Sequence, residues 1–264
     1  MSANTTSQTK LQSKMQSAAG ATRWGDVVLL IVIMAALWQL ASLGLGAAVL
    51  PGPVTTIQQV WVEMSDADFG ANLMETSKAF FTALCISLIG GTVIGVLLGA
   101  QRLAGDVFEP LLIALYSIPK IALYPIVLLM FGLGISAKIA FGAIHGIIPM
   151  VIFTMTAVRN IRPVYMRSIR THRLSPWQGA VHVLIPAAVP EIVAGLRIGF
   201  SLTLLGTLLG EMFASQKGIG HLLMLAIDRN DTPTIMALAL MLFLFATTVS
   251  LGLLQWDRRL RRTA

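Results

Sequence analysis

The stretch IRTHRLSPWQGAVHVLIPAAVPEIVAGLR, residues 169–197, begins basic, turns apolar around Trp177 and meets two prolines, Pro186 and Pro190, before a long hydrophobic run. Ser175 followed by Pro176 has the form of a helix start. A serine hydroxyl can cap free N–H groups there, and a proline at the first helical position gives up a donor that has no partner anyway. From that point Trp177, Ala180, Val181 and Leu184 fall at i, i+3, i+4 and i+7, one apolar face of a short helix. Pro186 lacks an N–H and its ring clashes with the preceding turn, so the spacing predicts that this helix ends there. Pro190 then suits the first residue of a longer, predominantly apolar helix. The expected pattern is helix, break, helix, at the edge of an apolar layer.

Working outward, the rest of the chain supplies that layer. Of 264 residues, 56% are hydrophobic and 12% charged, and the mean hydropathy is +0.79. A soluble domain carries about a quarter charged residues. Residues 27–62, 79–101, 121–137, 139–158 and 232–256 contain no Asp, Glu, Lys or Arg, and a helix needs about 20 apolar residues to cross a bilayer. A shorter uncharged run, 198–210, lies between Arg197 and Glu211. The fold class is therefore an all-α polytopic membrane protein with about six transmembrane helices, expected near 27–44, 77–100, 107–131, 136–158, 188–212 and 234–255. Residues 1–25 are polar and read as a disordered tail, and 26–264 as a single transmembrane domain. The first apolar run starts too far from Met1 for a cleaved signal peptide, so it is read as a retained helix.

Basic residues accumulate in loops on the cytoplasmic side of a membrane. With the N-terminus inside, that side receives Lys10, Lys14, Arg23, Arg102, Arg159, Arg162, Arg167, Arg170, Arg173, Arg258, Arg259, Arg261 and Arg262, and the other side only Lys78, Lys138, Lys217 and Arg229. Both ends are thus expected in the cytoplasm, and the positive charge answers to the membrane rather than to nucleic acid. The segment 44–77 falls outside, carries Glu63, Asp66, Asp68 and Glu75, and in LPGPVTTIQQVWVEM shows a turn followed by a short amphipathic helix. Glu211 and Lys217 come out near the outer surface, either as a gate pair or as solvated boundary charges.

The third span, LYSIPKIALYPIVLLMFGLG (115–134), places Pro119, Lys120 and Pro125 in membrane territory. Prolines there free backbone carbonyls and kink the helix, which membranes tolerate beside protein or a watery cavity. Tyr116, Ser117, Pro119, Lys120, Tyr124 and Pro125 are accordingly the candidate lining of a translocation pathway. Lys120 is expensive in hydrocarbon and should face a cavity, an interface or the surface, where it attracts an anion, snorkels or makes a structural hydrogen bond. His145 and the single Cys85 are expected to serve helix packing, and Gly90, Gly91, Gly95 and Gly99 to allow close helix contact. There is no phosphate-binding G-x-x-x-x-G-K-[ST], no G-x-S-x-G, no H-E-x-x-H and no cysteine-based metal site. Neither catalytic residues nor a bound cofactor or metal are expected.

The cytoplasmic loop, about 159–187, is the longest connection on its side, and loops of that length usually have a task. Arg162, Arg167, Arg170 and Arg173 approach LSPWQG. Residue physics leaves two alternatives open: an interfacial helix with arginines on anionic lipid headgroups, or a docking element for a cytoplasmic partner anchored around Trp177. The loop resembles the "EAA" motif of ABC-importer permeases, E-A-A-x-x-x-G, followed after nine residues by I-x-L-P. Val183, Ile185 and Pro186 stand at the I, L and P positions. The first half departs: Arg167, Ser168 and Ile169 replace E-A-A, and Arg173 stands where the glycine lets the loop turn tightly. LPGPVTTIQQVW, SIPKIALYPIVLLMFGLG and PAAVPEIVAGLRIGF…GTLLGEMFAS also resemble the nitrate/sulfonate/taurine-type branch of those permeases.

That resemblance implies a type I ABC importer permease fold in the bacterial cytoplasmic (inner) membrane, multi-pass, with both termini cytoplasmic. It implies a second permease subunit forming a homodimer, two copies of a P-loop ATPase that hold the ATP and Mg, and an extracytoplasmic substrate-binding protein. Besides these and the lipid bilayer no nucleic acid is implied as a partner. The ATPase-docking residues would be Arg167, Arg170, Arg173, Leu174, Ser175, Pro176, Trp177, Gly179, Val183, Ile185 and Pro186. The cargo implied is a small anion such as a sulfonate, taurine or nitrate. The alternative cargo is a neutral or cationic heterocycle of the thiamine-precursor type. An ion-coupled secondary transporter is the competing class, and it would show inverted repeats or an intramembrane acidic site.

Overall fold

The computed structural model describes residues 25–161 and 163–263. The tail expected over 1–25 therefore lies, Gly25 apart, outside the described residues, as does Arg162. The chain divides into two compact units, residues 1–59 and 60–264.

In the first unit, α1 (Gly25–Leu45) is an uninterrupted apolar helix. It stops where Gly46 takes φ +88°, the left-handed conformation that closes many helix C-termini, with its N–H donating to Ser42 O at 3.0 Å. The chain then turns back, and the Trp38 indole N–H donates to Pro51 O at 3.0 Å. Thr56, one turn into α2 (Pro53–Ser65), donates its hydroxyl to Gly52 O. The turn and short helix expected from LPGPVTTIQQVW are both present.

Every described element of the second unit is helical. It runs α3 (Phe69–Ala100), α4 (Arg102–Ser117), a 3₁₀ turn (Lys120–Leu123), α5 (Tyr124–Phe131) and α6 (Ile135–Arg159). Then come α7 (Pro163–Thr171), α8 (Pro176–Gly179), a π-helical turn (Ala180–Leu184), α9 (Ile185–Ala214), α10 (Ile219–Asp228) and α11 (Thr232–Thr263). Helices α3, α6 and α9 form the centre. Small residues let their backbones close together: a Cβ on Gly95 would stand 2.6 Å from Thr154 Cβ and 2.8 Å from Val151 O. Around them sit apolar clusters. Phe80 meets Phe200 edge-on at 5.3 Å between ring centres, and Phe245 of α11 closes over both. His145 is buried, lies 4.6 Å edge-on to Phe141 and has Nδ1 2.9 Å from Phe141 O, a packing histidine as expected. Cys85, by contrast, is exposed rather than packed inside.

Among the described residues five helices are long and apolar enough to cross a membrane: α1, α3, α6, the segment Val181–Phe213 and the segment Thr232–Leu260. A sixth span forms if α4 and the segment Lys120–Phe131, which meet at 88°, are taken together. Two expectations are corrected. The third span is broken, not merely kinked: Ile118, forced out of the helical region by the proline that follows it, sits at φ −67°, ψ 135°, and α4 ends at Ser117. The fifth span is not preceded by a break at Pro186. The π-helical turn runs directly into α9, with Pro186 in its first turn and Pro190 inside it. A widened turn shifts the hydrogen-bond register by one residue. A proline in the next turn then meets a carbonyl ladder already interrupted, so its missing N–H costs little.

Candidate functional site

The loop between α6 and α9 folds into a compact hairpin. Helix α7 ends in a Schellman-type motif: Leu174 N–H reaches back to Ile169 O at 3.1 Å while Arg173 takes φ +50°. The position where the EAA motif has glycine thus keeps the left-handed conformation with an arginine in it. Ser175 and Gln178 then cap α8 reciprocally, Gln178 N–H donating to Ser175 Oγ at 3.3 Å and Ser175 N–H to Gln178 Oε1 at 3.0 Å. This is the helix start that Ser175-Pro176 indicated. Gly179 is buried beneath Ile169, where a Cβ would lie a tight 3.1 Å from Ile169 Cγ2. Around this hinge Arg167, Arg173, Ser175, Ile185 and Pro186 are exposed, and Leu174 and Val183 are half-buried. The side chains of Arg170, Pro176 and Trp177 lie outside the described ones. Beside the hairpin, Arg159 at the end of α6 bridges to Asp106 and to Glu109 of α4, the latter at 2.8 Å.

The broken third span divides the candidate pathway residues. Tyr124 alone is buried, its hydroxyl donating to Gly210 O at 2.6 Å and its ring edge-on to Phe141 at 4.8 Å. Tyr116, Ser117, Pro119 and Pro125 are exposed on this chain, not turned into its interior. The chain bends by 88° between α4 and the segment after it: α4 is tied to α6 through Arg159, and α5 packs through Tyr124, Val127 and Leu128 beside Phe141. The Lys120 ammonium donates to Tyr116 O at 2.9 Å and stands 5.1 Å from the centre of the Tyr116 ring. It caps the end of α4 and rests on an aromatic face.

At the end of the bundle where α9 turns into α10 lies a polar cluster. Glu211 is fully buried, and so is Lys138. The Thr76 hydroxyl lies 2.9 and 2.8 Å from the two Glu211 oxygens. Gly220 N–H donates to Glu211 Oε2 at 2.9 Å, Ile219 N–H to Thr76 Oγ1 at 2.8 Å and Gly218 N–H to Asn72 Oδ1 at 2.7 Å. Three successive amides opening α10 are thus capped by side chains from α3 and α9, with a carboxylate at the positive end of the helix dipole. Lys138 Nζ donates to Glu75 Oε1 at 3.1 Å and to Lys217 O at 2.7 Å, and stands 4.0 Å from Glu211 Oε1. Glu75, Leu133, Gly134, Lys138 and residues 215–217 line a cleft of about 540 Å³. Glu211 and Lys217 are therefore neither a gate pair nor two solvated charges. Glu211 belongs to an interior network, Lys217 gives that network its carbonyl, and Lys138, placed by charge counting in a loop, is core.

Residues 91–262 match the family described as the binding-protein-dependent transport system inner membrane component. A nitrate import permease protein of Synechococcus elongatus is 31% identical over 205 residues, covering 74% of this chain and 73% of its own. The chain belongs to this family. Other similar relatives of the permease are the taurine transport system permease protein of Escherichia coli, 24% identical over 88% of this chain and 86% of its own, and the formylaminopyrimidine transport permease protein of Halalkalibacterium halodurans, 24% identical over 80% and 85%. The permease is a multi-pass membrane protein of the nitrate/sulfonate/taurine branch of ABC importers, a transport subunit and not an enzyme. Family membership brings with it an ATPase partner and a substrate-binding protein.

Sequence reasoning missed Asn72, Thr76, Lys138 and Glu211 as a unit. A signal was present: Lys138 and Glu211 each border an otherwise charge-free run, where a charge needs either water or a partner.

Proposed function

We propose that this permease forms, as a homodimer, the membrane path of an importer for a small anion, and that the α7–α8 hairpin of each subunit seats in one of two copies of a separate ATPase, which hold ATP and Mg²⁺. The observation that carries the docking proposal is Arg173 at φ +50°. The loop keeps the tight left-handed turn of the resembled motif although its glycine is gone, and it presents Arg167, Arg173 and Ile185 outward. Both ends lie on the ATPase side, supported by the asymmetry of Lys and Arg between the loops. Tyr116, Ser117, Pro119 and Pro125, exposed on a single chain at the broken span, suit a surface completed by the second permease subunit. The anion reading draws on the nitrate and taurine relatives. Lys120 adds little to it, because its ammonium is already engaged by Tyr116. A second reading, a heterocyclic cargo, is favoured by the formylaminopyrimidine relative.

The test is affinity purification of the tagged chain in mild detergent from its native host, beside an Arg167→Glu, Ile185→Asp variant. A P-loop ATPase recovered with the wild type and lost with the variant is the expected result. An ATPase recovered equally by both would remove the loop from the docking role, and none recovered even after crosslinking would sink the importer mechanism. Uptake of labelled nitrate, taurine and formylaminopyrimidine into vesicles holding the full complex then separates the two cargo readings.

A further inference from the structure

Helix α10 is too short to cross the membrane, yet it is fixed more firmly than any surface helix requires. Its opening amides are capped by Asn72, Thr76 and Glu211, all buried and all from other helices. Its backbone is pressed onto α9: a Cβ on Gly218 would stand 2.3 Å from Glu211 Cδ, and one on Gly220 2.6 Å from Leu208 O. On its apolar side Ile219 packs with Phe69 and Leu238. Lys138 ties α6 into the same point through Glu75 and the Lys217 carbonyl.

We propose that Glu211 is a positioning residue that locks α10 to α3, α6 and α9, so that these four helices pass through the transport cycle as one rigid body. Lifting α10 would strip three amides of their acceptors at once and take from the buried Glu211 carboxylate one of its donors, a cost that no single substitute contact offsets. The opening motion instead belongs to the α5–α6 link at the edge of the cleft. There Leu133 and Gly134 join α5 to α6, and Gly132 and Gly134 sit at φ +71° and +141°. The four-helix body is the frame against which α5 moves through that link.

Spin labels on Ala71 of α3 and Asp228 of α10, both exposed and outside the network, test this in a Cys85→Ala background. The permease is held with its ATPase in lipid nanodiscs, with and without ATP and vanadate. Between the two states the distance should change by no more than the about 1–2 Å of ordinary helix adjustment. In Glu211→Ala the distribution should broaden and shift with nucleotide by about 5 Å, the scale of a one-turn displacement, and Glu211→Gln should restore the narrow peak. A nucleotide-driven shift of that size in the wild type would make α10 a lid and overturn the proposal. A Glu211→Ala variant as narrow as wild type would overturn it equally. Should Glu211→Ala fail to fold, Thr76→Val, which removes one cap and one carboxylate partner, is measured in its place with the same two outcomes.

Discussion

Arg173→Gly isolates the cost of building the α7–α8 turn without glycine. A left-handed conformation costs an L-residue roughly 1–2 kcal/mol, because Cβ crowds the following carbonyl oxygen. Glycine removes that strain but loses more backbone freedom on folding, about 0.5–1 kcal/mol. The Arg173 side chain is exposed, so little packing is lost, and the net effect is a gain of about 0.5–1 kcal/mol. The reporter is the Leu174 amide. It donates to Ile169 O at 3.1 Å only while Arg173 (φ +50°) stays left-handed, so its hydrogen exchange measures local opening of this one turn. At 1.4 kcal/mol per factor of ten, protection of that amide should rise about two- to fivefold in Arg173→Gly. Arg173→Val should move it the other way, since a β-branched residue tolerates this region worst. Unchanged or reduced protection in the glycine variant would refute the claim that the turn is strained. ATPase recovery read on the same variants separates geometry from chemistry: a steadier turn that binds less ATPase means the Arg173 side chain itself contacts the partner.

Three further expectations concern the core. Lys138→Met should lower stability by about 3–5 kcal/mol, leaving Glu211 buried without its cation. Adding Glu211→Gln should recover part of the loss, and strictly additive thermal melts would show that the two do not interact. Gly95→Ala should cost about 1–3 kcal/mol by forcing α3 off α6, whereas Gly70→Ala, whose added methyl meets nothing within 4 Å, should be neutral or stabilising by about 0.5–1 kcal/mol; matching melts for the pair would contradict the packing. Tyr124→Phe keeps the ring against Phe141 but removes the donor to Gly210 O, a loss of about 0.5–1.5 kcal/mol, and a melt at or above wild type would count against that hydrogen bond.

The spans were legible because hydrocarbon admits few charges, and a charge-free run of sufficient length has almost no other use. Ser175, Pro176 and Gln178 were legible for a related reason: capping is local, and all its partners sit within one turn. The departures came where local rules compete. Pro119 was expected to kink a helix and instead ends one, because the restriction on Ile118 before it and the turn-forming Lys120–Leu123 act together. Pro186 was expected to end a helix and instead begins one, because a π-helical turn lies immediately before it. A proline states only that one N–H is absent. Whether that breaks a helix depends on whether the carbonyl it would have served is already out of register.

The polar network exposes a deeper limit of one-dimensional reasoning. Thr76 and Glu211 are 135 residues apart, Asn72 and Gly218 are 146 apart, and Lys138 and Glu75 are 63 apart. From its own neighbours each charge reads as the edge of a span, where water would solvate it. A solvated edge charge and a buried, partnered one have the same local sequence and differ only in what another helix brings beside them. Here α3 brings an amide and a hydroxyl on Asn72 and Thr76 directly to the turn between α9 and α10, and a carboxylate on Glu75 that reaches it through Lys138. Glycine is forced at positions 218 and 220 because the Glu211 side chain already fills the space a Cβ would need. The glycines in KGIG, which alone suggest a loose loop, are therefore the mark of a tight one: the backbone is bare there so that a buried carboxylate can reach it.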